Sequence, residues 1–222
     1  MKSIQLLPAV LMTTLLSSCA VMIDISVAPP PVAAQKGDLY FDGGIGFSPV
    51  LDYSDERKMN FKPSFSIGVG SALTDFQFLY TSVQANTDMF TSPNRNTNGS
   101  IRYYNKLFRT GGYEQFIGGH YQFIAWNDDR NSTTANALGI SYMVRANSPG
   151  GTQPYLSLMY GVGTEFDFNT FSQLGTFSLG VQHRFNQHFE MRCEFNQNMG
   201  SSSEFDAFQW GGGLSVQARY LF

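Results

Sequence analysis

The chain is short of charge. Of its 222 residues, 14 are Lys or Arg and 17 are Asp or Glu, 14% in all, against roughly 25% in an average soluble domain. A formal net charge of −3 leaves no excess of cations to neutralise phosphates, so no nucleic-acid partner is expected. Cysteine is scarce too: Cys19 and Cys193 cannot build a disulfide framework. The three histidines, His120, His183 and His188, are not spaced as metal ligands, and neither a metal nor a cofactor is expected. Mean hydropathy is −0.17, which excludes a bundle of membrane-spanning helices. What the chain has instead is 15% aromatics, with 20 Phe and 11 Tyr, and 22 Gly.

The first residues read as a targeting segment. Lys2 is the positive end, and Ile4–Leu16 is an apolar run too short to span as a helix. Two processing readings stay open. Leu16-Ser17-Ser18-Cys19 resembles the bacterial lipobox. That resemblance implies cleavage before Cys19 by signal peptidase II and acylation of the new N-terminal cysteine. Ala20 then stands where an aspartate would retain a lipoprotein in the inner membrane. The other reading is an ordinary signal cut near Ala34, which requires a long segment interrupted by Asp24. On the lipobox reading, residues 1–18 are the signal, 19–36 with Pro29-Pro30-Pro31 an extended tether, and 37–222 one domain.

From residue 37 onward the period is two. Leu138, Ile140, Tyr142 and Val144 oppose Gly139, Ser141, Met143 and Arg145. Leu156, Leu158, Tyr160 and Val162 oppose Ser157, Met159, Gly161 and Gly163. Phe189, Met191, Cys193 and Phe195 oppose Glu190, Arg192, Glu194 and Asn196. In 75–85 and 100–108 the apolar residues switch parity, as a bulge would make them do. The count is about ten strands, with eight as the alternative. Short connections near 73–75, 109–112, 147–153 and 186–188 alternate with longer polar ones at 50–60, 87–98, 127–133, 166–174 and 197–206. Alternating turns and loops with an even strand number predict an all-β, antiparallel up-and-down barrel in the bacterial outer membrane, termini on the periplasmic side.

A barrel in water alternates as well, but its polar face carries Lys, Glu and Asp freely. Here that face is mostly Gly, Ser, Thr and Gln. The last strand places Phe208 and Trp210 at one end, Leu214, Val216 and Ala218 between, and Tyr220 and Phe222 at the other, the order of aromatic girdles around an apolar band. An alternating strand ending on Phe222 resembles the C-terminal signal of Gram-negative outer-membrane proteins. It implies recognition by the barrel-assembly machinery, although Gln217 stands where that signal usually has glycine. As architecture, residues 37–222 resemble the small OmpA/OmpX-type barrels, with no motif diagnostic of one family.

So narrow a barrel is filled by side chains. Inward glycines such as Gly44, Gly68, Gly70, Gly161 and Gly180 make room for long neighbours, and the charges gather toward the periplasmic end: Asp38, Asp42, Arg145, Arg184, Glu190 and Arg219. A three-residue turn at 186–188 sets Arg184 opposite Glu190 as a cross-strand ion pair, and closure sets Arg219 beside Asp38 or Asp42. A structural network plugging the lumen is expected over a gated ion path.

Chemistry is weakly signalled. No His-x-Ser like that of lipid A deacylases occurs. Asp128 and Asp129 have no histidine beside them, unlike the Asp and His at the rim of the omptin proteases, which also have ten strands. Inward His120 with Ser141 on the next strand is the one candidate for lipid-modifying catalysis. The expected role is non-catalytic: envelope structure or surface recognition through loops such as 87–98 and 197–206, with lipid and an envelope or surface partner as the contacts.

Overall fold

The structure is a computed structural model that describes residues 29–32, 34–52, 58–86, 95–127, 132–148, 150–165, 171–202 and 209–222. Cys19, Asp128, Asp129 and Phe208 lie outside them. The chain folds into ten strands: β1 Leu39–Asp52, β2 Lys58–Ala72, β3 Gln77–Asn86, β4 Arg95–Thr110, β5 Tyr113–Asn127, β6 Ser132–Ala146, β7 Thr152–Glu165, β8 Phe171–Arg184, β9 Phe189–Ser202 and β10 Gln209–Leu221. Every strand pairs antiparallel with its neighbours in sequence, and β10 pairs back onto β1 to close the ring. The strand number is therefore ten, not the alternative eight.

The strands are longer than the alternation suggests. β1 runs to Asp52, β4 starts at Arg95 and β9 reaches Ser202, so part of each segment expected as a loop is ladder. At 10 to 16 residues, they meet the roughly 9–11 needed to cross a bilayer at a tilt. The four tight turns, at 73–76, 111–112, 147–151 and 185–188, share one end of the barrel with Leu39 and Leu221. One of them is Gly111-Gly112, both at positive φ (53° and 101°), as a two-residue hairpin with the twist of its strands requires.

The two parity switches have different causes. In β4 the ladder slips between Lys106 and Phe108, so that Phe108 pairs with Gln115, while Leu107 keeps the outward parity of Ile101 and Tyr103. In β3 there is no slip: Phe78 and Tyr80 point inward while Leu79 and Val83 point outward. Large aromatics thus occupy both faces.

The outer face is mostly apolar, with a few polar side chains such as Thr81 and Gln115. Leu138 (66% exposed), Ile140 (67%), Leu179 and Ile67 form its middle, with Phe41, Tyr113, Phe185, Tyr220 and Phe222 toward the short-turn end. Among the described side chains of the strands, every Asp, Glu, Lys and Arg has inward parity. A sheet exposing this surface must close, because an open edge in lipid would leave backbone groups unpaired.

Candidate functional site

The lumen at the short-turn end is the densest polar site. The β1–β10 register sets Asp42 opposite Arg219. Arg219 donates from Nε to Oδ1 at 2.6 Å and from Nη2 to Oδ2 at 2.9 Å, a bidentate fork. Arg192 on β9 approaches the same carboxylate, Nη1 at 3.6 Å from Oδ2. Arg219 also reaches Glu190 at 3.5 Å and lies over the Tyr40 ring, 4.7 Å from its centroid. All four charged groups are buried, and two anions against two cations leave the cluster neutral. That balance is what a low-dielectric interior demands.

A second group lies on β4–β6. Arg145 donates to Glu114 from Nη2 at 2.7 Å and Nε at 3.1 Å; Lys106 adds a third contact at 3.2 Å. The Arg145 guanidinium covers the Phe116 ring at 5.0 Å. Glycines admit the bulky inward groups. The Tyr40 ring occupies the space a Cβ on Gly70 would take, Tyr80 does so at Gly68 and Tyr155 at Gly180. Tyr40 and Tyr80 stack, 6.0 Å apart and 8° from parallel.

Several expected positions need correction. Arg184 and Glu190 are opposed in register, but no ion pair joins them. Arg184 donates to the Asn186 carbonyl at 3.0 Å in its own turn, while Glu190 accepts from Arg219, from Gln182 at 2.5 Å and from the Val32 N–H at 2.9 Å. Asp38 does not meet Arg219; its Oδ2 accepts the Gln35 N–H at 2.7 Å. Residues 29–32 are not a free tether. Pro29, Pro30 and Pro31 are buried, and the Arg145 guanidinium donates to the carbonyls of Pro30 and, at 3.4 Å, Pro31. Glu114, Lys106, Arg192, Glu194 and the inward tyrosines were missed as partners. The acidic and basic ones carried a signal, their inward parity, but parity does not say which neighbour each side chain chooses.

His120 is buried on β5, opposite Arg102 on β4 and Gly139 on β6. Ser141 stands two residues further along β6, opposite Gly118. Neither His120 Nδ1 nor Ser141 Oγ has a hydrogen-bond partner, so the two are not joined as base and nucleophile. A cation faces the histidine where a triad would need an orienting carboxylate. Cys193 is on the outer face, and among the described residues no group of His, Cys, Asp and Glu could hold a metal. Tyr220 and Phe222 are outward and in edge contact at 5.0 Å. Trp210 is paired with Met199 in the ladder.

No family model matches the chain. No curated protein matches it in sequence. Solved structures do match. An outer membrane channel from Pseudomonas putida F1 is 10% identical, with a TM-score of 0.55 over 89% of this chain and all of that one. The outer membrane protease OmpT of Escherichia coli is 8% identical, with a TM-score of 0.48 over 83% of this chain and 97% of that one. Neisserial surface protein A is 13% identical, with a TM-score of 0.40 over 83% and 99%. The likeness to the Pseudomonas channel, at 10% identity, is one of fold alone, and that fold is a bacterial outer-membrane β-barrel.

Proposed function

We propose that this chain is an integral, non-catalytic barrel of the bacterial outer membrane, sealed along its lumen. Its role is to stabilise the envelope and to present the segments at its long-loop end to a surface or envelope partner. The observation that carries this reading is the filling of the lumen. The ion-paired group around Asp42, the Arg145–Glu114 fork and residues 29–32 occupy the short-turn end. Further in, a cavity of about 10 Å³ lies among Ser66, Ser82, Gln84, Ser100, Arg102 and Gln217, room for about one water molecule. Such an interior supports a scaffold over a conduit. Acylation at Cys19 would give it a second anchor, and the short-turn end would face the periplasm.

The test is a mass-spectrometric profile of lipid A and phospholipids from cells with and without the protein, and with His120→Ala, run beside single-channel recordings of the purified barrel. Unchanged lipids and no ohmic conductance are expected. A gained or lost acyl chain that depends on His120 would make the protein a lipid-modifying enzyme, and a steady conductance would make it a channel.

A further inference from the structure

Residues 29–32 belong to no strand, yet the barrel buries three of them and bonds their backbone on both sides. Sequence explains why this segment can lie there. A proline has a carbonyl but no N–H, so Pro29-Pro30-Pro31 brings acceptors and no donor into the lumen. The wall answers with a donor: Arg145, which has no acceptor of its own, reaches the carbonyls of Pro30 and Pro31. The first residue with an N–H is Val32, and there the wall changes to an acceptor, Glu190 Oε1 at 2.9 Å. The prolines also hold the segment extended, because each residue before a proline is kept out of the helical region. An extended run has no internal hydrogen bonds, so its carbonyls are free for the wall.

Both wall groups are held in place. Arg145 is forked onto Glu114 and covers Phe116. Glu190 is fixed by Gln182 and Arg219. Arg145 and Glu190 stand on β6 and β9 and are both buried. The donor and the acceptor were built into separate strands, and the peptide backbone spans them.

We propose that the short-turn end of the lumen is a peptide-binding site selective for an extended Pro-Pro-Pro-Xaa backbone, filled in this chain by its own residues 29–32. Selectivity lies in the missing donors. An alanine at position 30 or 31 would add an N–H to residues whose contact with the wall is the donor Arg145.

The proposal rests on the reading that processing stops at Cys19, so the experiment uses residues 19–222, which keep the segment 29–32, in detergent micelles and a fluorescent peptide of residues 28–35, read by anisotropy. The wild-type chain excludes the peptide, because its tethered segment competes at high effective concentration. The Pro30→Ala, Pro31→Ala chain, whose own segment is disfavoured, binds it about tenfold more tightly or better. The same peptide with both alanines fails to bind, and adding Arg145→Gln to the variant abolishes binding. Folding of each chain is checked by its gel shift on boiling, and single Pro31→Ala gives the same ranking if the double variant does not fold. Equal binding to wild type and variant would place the peptide elsewhere and overturn the site. So would no binding to a folded variant, or equal binding of the alanine peptide.

Discussion

Arg219 and Asp42 are 177 residues apart in sequence and share a two-pronged hydrogen bond across the strand pair that closes the barrel. Arg192 and Glu190 complete a neutral group of four. Asp42→Asn removes the carboxylate that Arg219 and Arg192 share and is expected to cost about 3–5 kcal/mol. Removing a cation and an anion together, Asp42→Leu with Arg219→Leu, restores neutrality and should recover most of that loss. Urea titrations of the folded band in lipid vesicles measure both.

The Tyr40 ring fills the place where a Gly70 side chain would begin, its Cζ 2.1 Å from an ideal Cβ, and it is too buried to swing aside. Gly70→Ala is expected to lose about 1–3 kcal/mol through overpacking. Adding Tyr40→Leu should regain part of it, although the smaller side chain forfeits the stack on Tyr80. A double variant no more stable than Gly70→Ala alone would mean the clash is not the cause.

Ile140 stands near the middle of β6 on the outer face, 67% exposed. If lipid covers it, Ile140→Arg costs about 2–4 kcal/mol, while Tyr220→Arg near the rim costs about 0–1 kcal/mol. A water-facing barrel would show no such dependence on depth. Unfolding in vesicles of defined thickness separates the two.

A closed ladder of ten strands resists detergent until heated. The unboiled protein should run ahead of the boiled protein on a denaturing gel and keep a β-sheet circular dichroism spectrum. Identical migration in both states would contradict the closed barrel.

The ring itself was readable from the sequence because period two sorts each strand into faces, and alternating connection lengths give the up-and-down order. The Arg219–Asp42 contact follows from that order, since closure must bring the first and last strands together. What period two cannot do is tell an inward aromatic from an outward one. Tyr40, Tyr80, Tyr155, Phe78 and Phe116 are aromatic residues on the polar face, and glycines on neighbouring strands make room for the three tyrosines. Nor does opposition in register decide a contact. Arg184 sits beside a turn whose carbonyl it can reach, and Glu190 is drawn inward by better donors. The docking of residues 29–32 had no local signal, because the groups that receive it are 114 to 158 residues away in the chain: Arg145 lies 114 residues from Pro31 and Glu190 158 from Val32.

All but one of the ladders join strands adjacent in the chain; the exception is the β1–β10 seam, where Phe222 donates to the Leu39 carbonyl and Arg219 meets Asp42. Hairpins between sequence neighbours close short loops and form early, whereas the seam must wait for the whole chain. Residues 29–32 precede the first strand and end up encircled by all ten. They must be seated while the sheet is still open, or else enter afterwards through the mouth ringed by the short turns. A barrel that locks its own leading segment inside as it shuts would make the last hairpin of the chain the step at which that segment can no longer leave sideways.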